Sequence, residues 1–107
     1  MGETGGLFLF ATIRPKPEHF AEARAALDAL IPETLGESGC LMFAAFESFS
    51  EDGVLHLFEH FADQAALDAH YAQPYTQGVF ARYERWLSAP VEVKRLSAIS
   101  ALTRAQF

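Results

Sequence analysis

The segment VLHLFEHFADQAALDAHYAQPY (residues 54–75) decides the fold, because its hydrophobic period changes halfway along. Its first half alternates as a strand does, with one face carrying Leu55, Leu57, Glu59 and Phe61 and the other carrying His56, Phe58 and His60. Asp63 is a good N-cap, and the residues that follow recur at helical spacing: Ala66, Leu67, His70 and Tyr71. The segment therefore predicts a strand that runs directly into a helix, and it holds three of the four histidines.

On the N-terminal side, the short apolar run LFLFATI (Leu7–Ile13) is typical of a buried strand. Two prolines end it and open a helix, whose apolar stripe is Phe20, Ala23, Leu27, Leu30 and Ile31. Because Leu35 keeps the phase of that stripe, we expect the helix to continue past Pro32 with a kinked last turn. A second strand follows over residues 40–49, and Asp52-Gly53 predicts a tight hairpin turn into the third strand.

On the C-terminal side, Pro74 interrupts the helix and starts a second piece with apolar positions at Tyr75, Val79, Tyr83, Trp86 and Leu87. Residues 91–96 (VEVKRL) alternate, and their charges favour an edge strand. Residues 97–107 are weakly patterned, which predicts either a frayed tail or an arm laid on a partner chain. The order β-α-β-β-α-β predicts an α+β, ferredoxin-like antiparallel sheet covered by helices on one face.

Length and composition favour one domain over residues 1–107, with a flexible N-terminus over residues 1–6. The uncovered sheet face is also apolar and the chain has ten phenylalanines, so we expect a homodimer in which two sheets pack face to face. A net charge of −6 without a basic run argues against nucleic acid or an anionic membrane as a partner. No metal-ligand spacing, targeting signal or membrane-length segment is evident, so we expect a cytoplasmic protein without a bound metal.

Several motifs together resemble the antibiotic biosynthesis monooxygenase (ABM) domain over about residues 7–96. They are ESGCLMF, the Asp-Gly hairpin, Phe58-Glu59-His60-Phe61, the Asp63 cap, Ala66-Leu67, His70 and Pro74-Tyr75. The group includes quinol monooxygenases and cofactor-free anthrone oxygenases. The resemblance implies a dimeric α/β barrel, a pocket between sheet and helices in each subunit, and no cofactor. Phe61 stands where the family often has Trp, and Tyr75 where it often has His.

His70 and Glu59 are the candidate catalytic residues. His70 lies on the inner stripe of its helix, and an imidazole titrates near neutral pH, as proton removal from a phenol requires. A histidine on an apolar stripe can also simply satisfy a buried backbone group. Burial would raise the pKa of Glu59 and make it an acid/base partner. The alternative for Glu59 is a structural ion pair with Arg82 or Arg95.

Aromatic side chains are the candidate substrate-binding residues, because a flat ligand favours an aromatic wall. They are core residues by default, and they are Phe43, Phe46, Phe61, Tyr75, Tyr83 and Trp86. His56 and His60 share the other strand face and lack a third ligand, which favours packing or dimer contacts. Cys40 is expected to be an inert core thiol.

Three functions are consistent with this pattern. The first is a cofactor-independent monooxygenase that oxidises a quinol, phenol or anthrone-like aromatic with dioxygen. The second is a non-oxidative isomerase of a small carbonyl compound, with His70 and Glu59 shuttling protons. The third is a module that binds a hydrophobic ligand without turnover, since a fold does not fix a function.

Overall fold

The computed structural model describes residues 6–99 and contains one four-stranded antiparallel sheet. Its strands are β1 (Leu7–Ile13), β2 (Cys40–Glu47), β3 (Leu55–Phe61) and β4 (Glu92–Leu96), in the order β2-β3-β1-β4. The helices are α1 (Phe20–Leu35), α2 (Gln64–Tyr71) and α3 (Pro74–Trp86), and a short 3-10 turn (Pro17–His19) precedes α1. The predicted ferredoxin-like order and the edge position of β4 are confirmed.

The hairpin turn and the helix boundaries predicted from local sequence are present in the structure. Gly53 has a φ of +77° in the hairpin turn, a backbone conformation that glycine adopts without steric cost. Helix α1 continues through Pro32 to Leu35. Two residues separate the end of α2 from Pro74, which starts α3 because its missing N–H is harmless in a first turn. The predicted flexible N-terminus and C-terminal tail lie largely outside the described residues, which begin at Gly6 and end at Ile99.

The two faces of the sheet are covered to different extents. The covered face packs against the helices and carries alternate residues of the central strands: Leu9, Ala11, Ile13, Leu55, Leu57, Glu59 and Phe61. With Ala23, Leu27 and Leu30 of α1, Leu67 of α2, and Val79 and Tyr83 of α3, the apolar members form the core. The open face carries Phe8, Phe10, His56, Phe58 and His60, which are half-buried.

Strand β2 departs from simple alternation at its start. Its register against β3 shifts between Cys40, which pairs with Phe61, and Met42, which pairs with His60. Leu41 is the extra residue of this bulge and is exposed, while Cys40 and Phe43 are both buried. Simple alternation over residues 40–49 would place Cys40 and Met42 on one face, but a bulge sets two residues opposite one, so these two side chains lie on opposite faces.

None of the helices within residues 6–99 is long and apolar enough to cross a membrane. Cys40 is buried, and burial raises the pKa of its thiol to about 11, which agrees with an inert core residue.

Candidate active site

The site is built around His70 at the end of α2. Asp63 begins this helix as predicted, because its Oδ1 accepts a hydrogen bond from the backbone N–H of Ala66 at 2.9 Å. Only 2 % of the His70 surface is exposed. Its ring contacts two aromatic rings of the covered face, Phe43 at 5.4 Å and Phe61 at 5.1 Å between centroids. The helical stripe thus places an imidazole in the core, between α2 and the sheet.

Glu37 holds the imidazole from the loop between α1 and β2. The Nδ1 of His70 lies 3.1 Å from Oε2 of Glu37, and the Tyr75 hydroxyl donates a hydrogen bond to the same carboxylate oxygen. Burial, together with this hydrogen bond, raises the pKa of Tyr75 well above its ordinary value, so that the hydroxyl remains a donor. Because Glu37 occupies Nδ1, Nε2 is the ring nitrogen left to receive a proton from a ligand.

A close contact between backbone segments brings Glu37 to this position. A Cβ on Gly39 would lie 2.4 Å from the Cβ of Ala66 in α2. The backbone N–H of Ala62 also donates to the Gly39 carbonyl at 2.9 Å. Glycine at residue 39 therefore permits the loop to approach α2 closely enough for the carboxylate to reach His70.

Glu59 lies on the covered face of β3. It is only 6 % exposed, and its Oε1 has no hydrogen-bond partner among the described residues. Burial raises the pKa of this carboxyl to about 7, since removing a carboxylate from water disfavours the charged form. The carboxyl group is consequently able to exchange a proton near neutral pH.

The ion pair considered for Glu59 does not form in residues 6–99. Arg82 instead donates to the carbonyl of Gly78 at 3.3 Å, one turn earlier in α3. Arg95 donates to the side chain of Gln64 at 2.6 Å. Both guanidinium groups remain at the surface, where water solvates them, so the structural interpretation of Glu59 as an ion-pair partner is wrong.

A cavity of about 50 Å³ lies between the covered face and the helices, and both His70 and Glu59 line it. Apolar side chains from all four strands, the helices and the segment before β4 make up most of its wall. Its polar groups include two further buried hydroxyls, those of Thr76 and Tyr83 on α3. The volume holds only a few water molecules, so an aromatic ligand requires side chains at the rim to move.

The predicted substrate-binding residues separate into three groups. Phe43 and Tyr83 line the cavity. Phe61 packs against His70, and Tyr75 reaches His70 through Glu37. Phe46 and Trp86 lie elsewhere. Phe46 is 51 % exposed on β2, and the guanidinium of Arg82 lies 5.7 Å above the Trp86 ring near the end of α3.

Two residues of the site were not singled out in the sequence. Glu37 is 33 residues away from His70 along the chain, so no periodic pattern links the two. Glu37 is the first residue of the ESGCLMF run and lies between Gly36 and Gly39, and this position is the sequence feature that could have indicated it. Thr76 carries no signal, because a threonine in the first turn of a helix is common in any fold.

His56 and His60 lie on the open face, as their parity predicted. The His60 ring stacks on Phe8 with centroids 4.0 Å apart, and the His56 ring stacks on Phe10 at 5.1 Å. His56 Nδ1 also lies 3.3 Å from the Thr12 hydroxyl. Within residues 6–99, no three His, Cys, Asp or Glu side chains are grouped closely enough to hold a metal ion.

Comparison with known proteins agrees with this architecture. The family model of the antibiotic biosynthesis monooxygenases matches residues 7–82. A Mycobacterium tuberculosis protein named "Putative monooxygenase Rv0793" is 33% identical over 96 residues, covering 90% of this chain and 94% of the relative. The Bacillus subtilis protein "Putative monooxygenase YcnE" is 30% identical over 89 residues, covering 83% and 94%.

The solved structure of Rv0793 superimposes with a TM-score of 0.86 at 32% identity, covering 91% of this chain and 98% of that one. The family match thus contains His70, Glu59 and Glu37, and the match to the solved structure covers about nine-tenths of the chain. This chain belongs to the antibiotic biosynthesis monooxygenase family.

Proposed function

We propose that this protein is a cofactor-independent monooxygenase that oxidises a phenol, quinol or anthrone-like aromatic in the cavity beside His70. The observation that carries the proposal is a buried imidazole whose Nδ1 is held 3.1 Å from a carboxylate and whose ring lines a mostly apolar cavity. A histidine held in this way presents Nε2 as a general base in a site that excludes most water. Membership of the monooxygenase family supports the oxidative chemistry.

The proposed reaction begins with transfer of the substrate hydroxyl proton to Nε2 of His70. The electron-rich phenolate then gives one electron to dioxygen, and the resulting radical pair combines to form a carbon–oxygen bond. The peroxide loses water, so that one oxygen atom remains on the ring as a carbonyl and the other leaves as water. Glu59 is suited to supply the proton for that water, because its pKa of about 7 keeps part of the carboxyl population protonated at neutral pH.

The protein's contribution is desolvation, orientation and proton transfer. A dry apolar wall protects radical and peroxide intermediates from side reactions with water. The aromatic rings of Phe43 and Tyr83 provide flat surfaces on which a substrate ring packs. General base catalysis of this kind contributes about 10²- to 10⁴-fold to a rate.

Oxygen consumption with a panel of quinols, phenols and anthrones tests the proposal. We expect one dioxygen consumed per ring oxidised, with one atom of labelled dioxygen retained in the product. His70→Ala is expected to lower the rate about 100-fold or more, since the base is removed. The matched control is His19→Ala, which removes a half-buried histidine paired with Glu22 outside the cavity. No uptake by the wild-type protein, or an unchanged rate in His70→Ala, would contradict the proposal.

An isomerase of a small carbonyl compound is the second candidate. It is favoured by the presence of two proton-exchanging groups, His70 and Glu59, on one cavity. Removal of dioxygen separates the two functions, because proton shuttling continues without it and monooxygenation stops. Ligand-induced thermal stabilisation without product formation would instead favour the binding module.

We also propose that two copies associate through their open faces. Met42 and Phe46 are exposed on β2 beside the half-buried aromatic rows of β1 and β3, and together they form an apolar surface that favours burial. Light scattering at micromolar concentration is expected to give twice the chain mass. Met42→Lys places a charge on this surface and is expected to shift the population toward monomer. A wild-type monomer would contradict this association without affecting the proposed chemistry.

A further inference from the structure

Two side chains that line the cavity beside His70 are exposed to solvent, and they lie on neighbouring elements. Phe80 on α3 is 42 % exposed, and Val93 on β4 is 47 % exposed. Among the other lining residues that the structure describes, Tyr71 and Val91 are half-buried and the rest are buried. A side chain that borders a cavity and also meets water forms a wall only one side chain thick. The cavity is therefore closest to solvent between α3 and β4.

A surface groove of about 440 Å³ lies outside this wall. The groove and the cavity share three lining residues, which are Phe80, Tyr83 and Val91. Most of the other residues of the groove belong to residues 87–90, the segment between α3 and β4. The groove and the cavity thus lie on two sides of the same side chains, and a change in one of those side chains is able to join them.

Phe80 is the shared side chain that moves most readily. Its ring is held by packing alone, because it has no polar group to anchor it. Exposed side chains exchange rotamers within picoseconds to nanoseconds, whereas a buried lining residue is held by a close-packed core. The Phe80 ring contacts the Tyr71 ring with centroids 6.0 Å apart, and the Tyr71 ring lies 5.6 Å from that of His70. This row of rings leads from the groove to the proposed base.

The closed cavity of about 50 Å³ is too small for an aromatic ring, so a ligand that reaches His70 must displace part of the wall. We infer that Phe80 and Val93 form the entrance of the cavity, and that the Phe80 ring, by turning outward into the groove, determines the size of the ligand that reaches His70. The position of the entrance is independent of the reaction. The selection of ligand size rests on the proposed function, since it takes the cavity as the substrate site.

Thiol labelling tests the entrance without any substrate. Leu57 on β3 lines the cavity and is only 7 % exposed, so the rate at which iodoacetamide labels Leu57→Cys measures access to the cavity. Leu9→Cys places a thiol on the same covered face but away from the cavity, and its labelling measures opening of the whole core. The wild-type chain, with the buried thiol of Cys40, provides the background rate.

We expect Phe80→Ala to accelerate labelling of Leu57→Cys about tenfold or more and to leave labelling of Leu9→Cys unchanged, because the wall is removed while the core stays closed. Val93→Ala should give a smaller acceleration from the β4 side, and it serves as the test if Phe80→Ala does not fold. Leu87→Ala is the control, since Leu87 lines the groove but not the cavity. Equal acceleration at both thiols, an equal effect of Leu87→Ala, or no acceleration in either entrance variant would overturn the inference.

Binding of phenol and 2-naphthol without dioxygen tests the selection of ligand size. The two ligands share one hydroxyl, and 2-naphthol adds a second ring. NMR titration gives both dissociation constants for each variant, so a loss of stability common to both ligands cancels in their ratio. We expect Phe80→Ala to shift this ratio in favour of 2-naphthol about fivefold or more, as an enlarged apolar pocket predicts, and Leu87→Ala to leave it unchanged. An unchanged ratio in Phe80→Ala would show that Phe80 does not select ligand size.

Oxygen consumption separates this inference from the proposed function. Faster labelling of Leu57→Cys in Phe80→Ala, without oxygen uptake by the wild type, supports the entrance and contradicts the monooxygenase. Oxygen uptake by the wild type, with labelling that Phe80→Ala and Val93→Ala leave unchanged, supports the monooxygenase and overturns the entrance.

Discussion

The two faces of one strand, β3, carry similar residues in different environments. The covered face presents a carboxyl among aromatic rings, Glu59 beside Phe61, and the open face presents His56 and His60 beside Phe58. Helices bury Glu59 until its pKa rises to about 7, and they place His70 and Glu37 next to the same region. The open-face histidines stack on Phe8 and Phe10 of β1. Both faces have titratable groups, and within a single chain it is the helix-covered face on which burial raises the pKa of a carboxyl.

Each face holds a histidine by its Nδ1, and the partners differ. Glu37 holds His70 at 3.1 Å on the covered side, and Thr12 contacts His56 at 3.3 Å on the open side. A carboxylate accepts a hydrogen bond and stabilises a positive charge on the ring, whereas a hydroxyl supplies a weaker, neutral partner. The carboxylate partner suits the ring of His70 to the proposed role of general base, whereas the ring of His56 stacks on Phe10.

The largest expected effect is on the pH dependence of stability, and it comes from the buried carboxyl group of Glu59. Below pH 4.5 it is protonated in the folded and unfolded chain alike. Between pH 4.5 and about 7 the unfolded chain releases the proton and the folded chain retains it. Stability therefore falls as pH rises through this window. The full difference corresponds to about 3 kcal/mol in the free energy of unfolding.

Urea unfolding at pH 5 and pH 8 measures this effect. We expect Glu59→Gln to remove most of the decline, because an amide does not titrate, while Glu84→Gln, a change at an exposed position of α3, retains it. If the free energy of unfolding had the same pH dependence in the wild type and in Glu59→Gln, the covered face would not perturb the pKa of its carboxyl. The proposed difference between the two faces would then be wrong.

A smaller effect is expected when Glu37, the partner of His70, is replaced. Glu37→Gln preserves the size of the side chain but removes its charge, and we expect the oxidation rate to fall about 10- to 100-fold, as for other residues that orient a functional histidine. Nitrogen NMR of the ring should show the Nδ1–H tautomer of His70 in the wild type and a mixed tautomer in Glu37→Gln.

Thr12→Val is the corresponding change on the open face. It should alter the signals of His56 and leave the oxidation rate unchanged, because Thr12 and His56 lie outside the cavity. Equal losses of rate in Glu37→Gln and Thr12→Val would indicate that both effects are structural, and Glu37 would then have no specific role in holding His70.

The smallest expected effect is on stability, and it depends on how closely the loop at Gly39 approaches helix α2. Gly39→Ala places a Cβ 2.4 Å from that of Ala66, and we expect it to lower the free energy of unfolding by about 1–2 kcal/mol, as overpacking does. Gly78→Ala in α3 meets no atom within 4 Å, so a gain of about 0.5–1 kcal/mol is expected from helix propensity.

Thermal unfolding of the two alanine variants compares these changes directly. Gly39→Ala should also reduce the oxidation rate, because the loop that carries Glu37 must retreat from α2. A Gly39→Ala variant as stable and active as the wild type would mean that the loop is not held by this contact.

Local chemistry decided the order of elements, and the sequence was sufficient to predict it. Alternation in residues 55–61, the Asp63 cap, the Asp52-Gly53 turn and the break at Pro74 each depend on a few neighbouring residues. Parity alone also separated His56 and His60 from Glu59 and Phe61, because successive side chains on a strand point to opposite faces. Helical spacing placed His70 on the buried side of α2 for the same reason.

Only the tertiary structure decided which residues meet at the site. Glu37 joins His70 across 33 residues, and Gly39 permits the approach. The bulge in β2 buried Cys40, and surface solvation kept Arg82 and Arg95 away from Glu59. Phe46 and Trp86 have the right chemistry for an aromatic wall but lie outside the cavity. Periodicity reports the side of an element on which a residue lies, whereas partners from distant segments are fixed by the packing of layers, which no local pattern encodes.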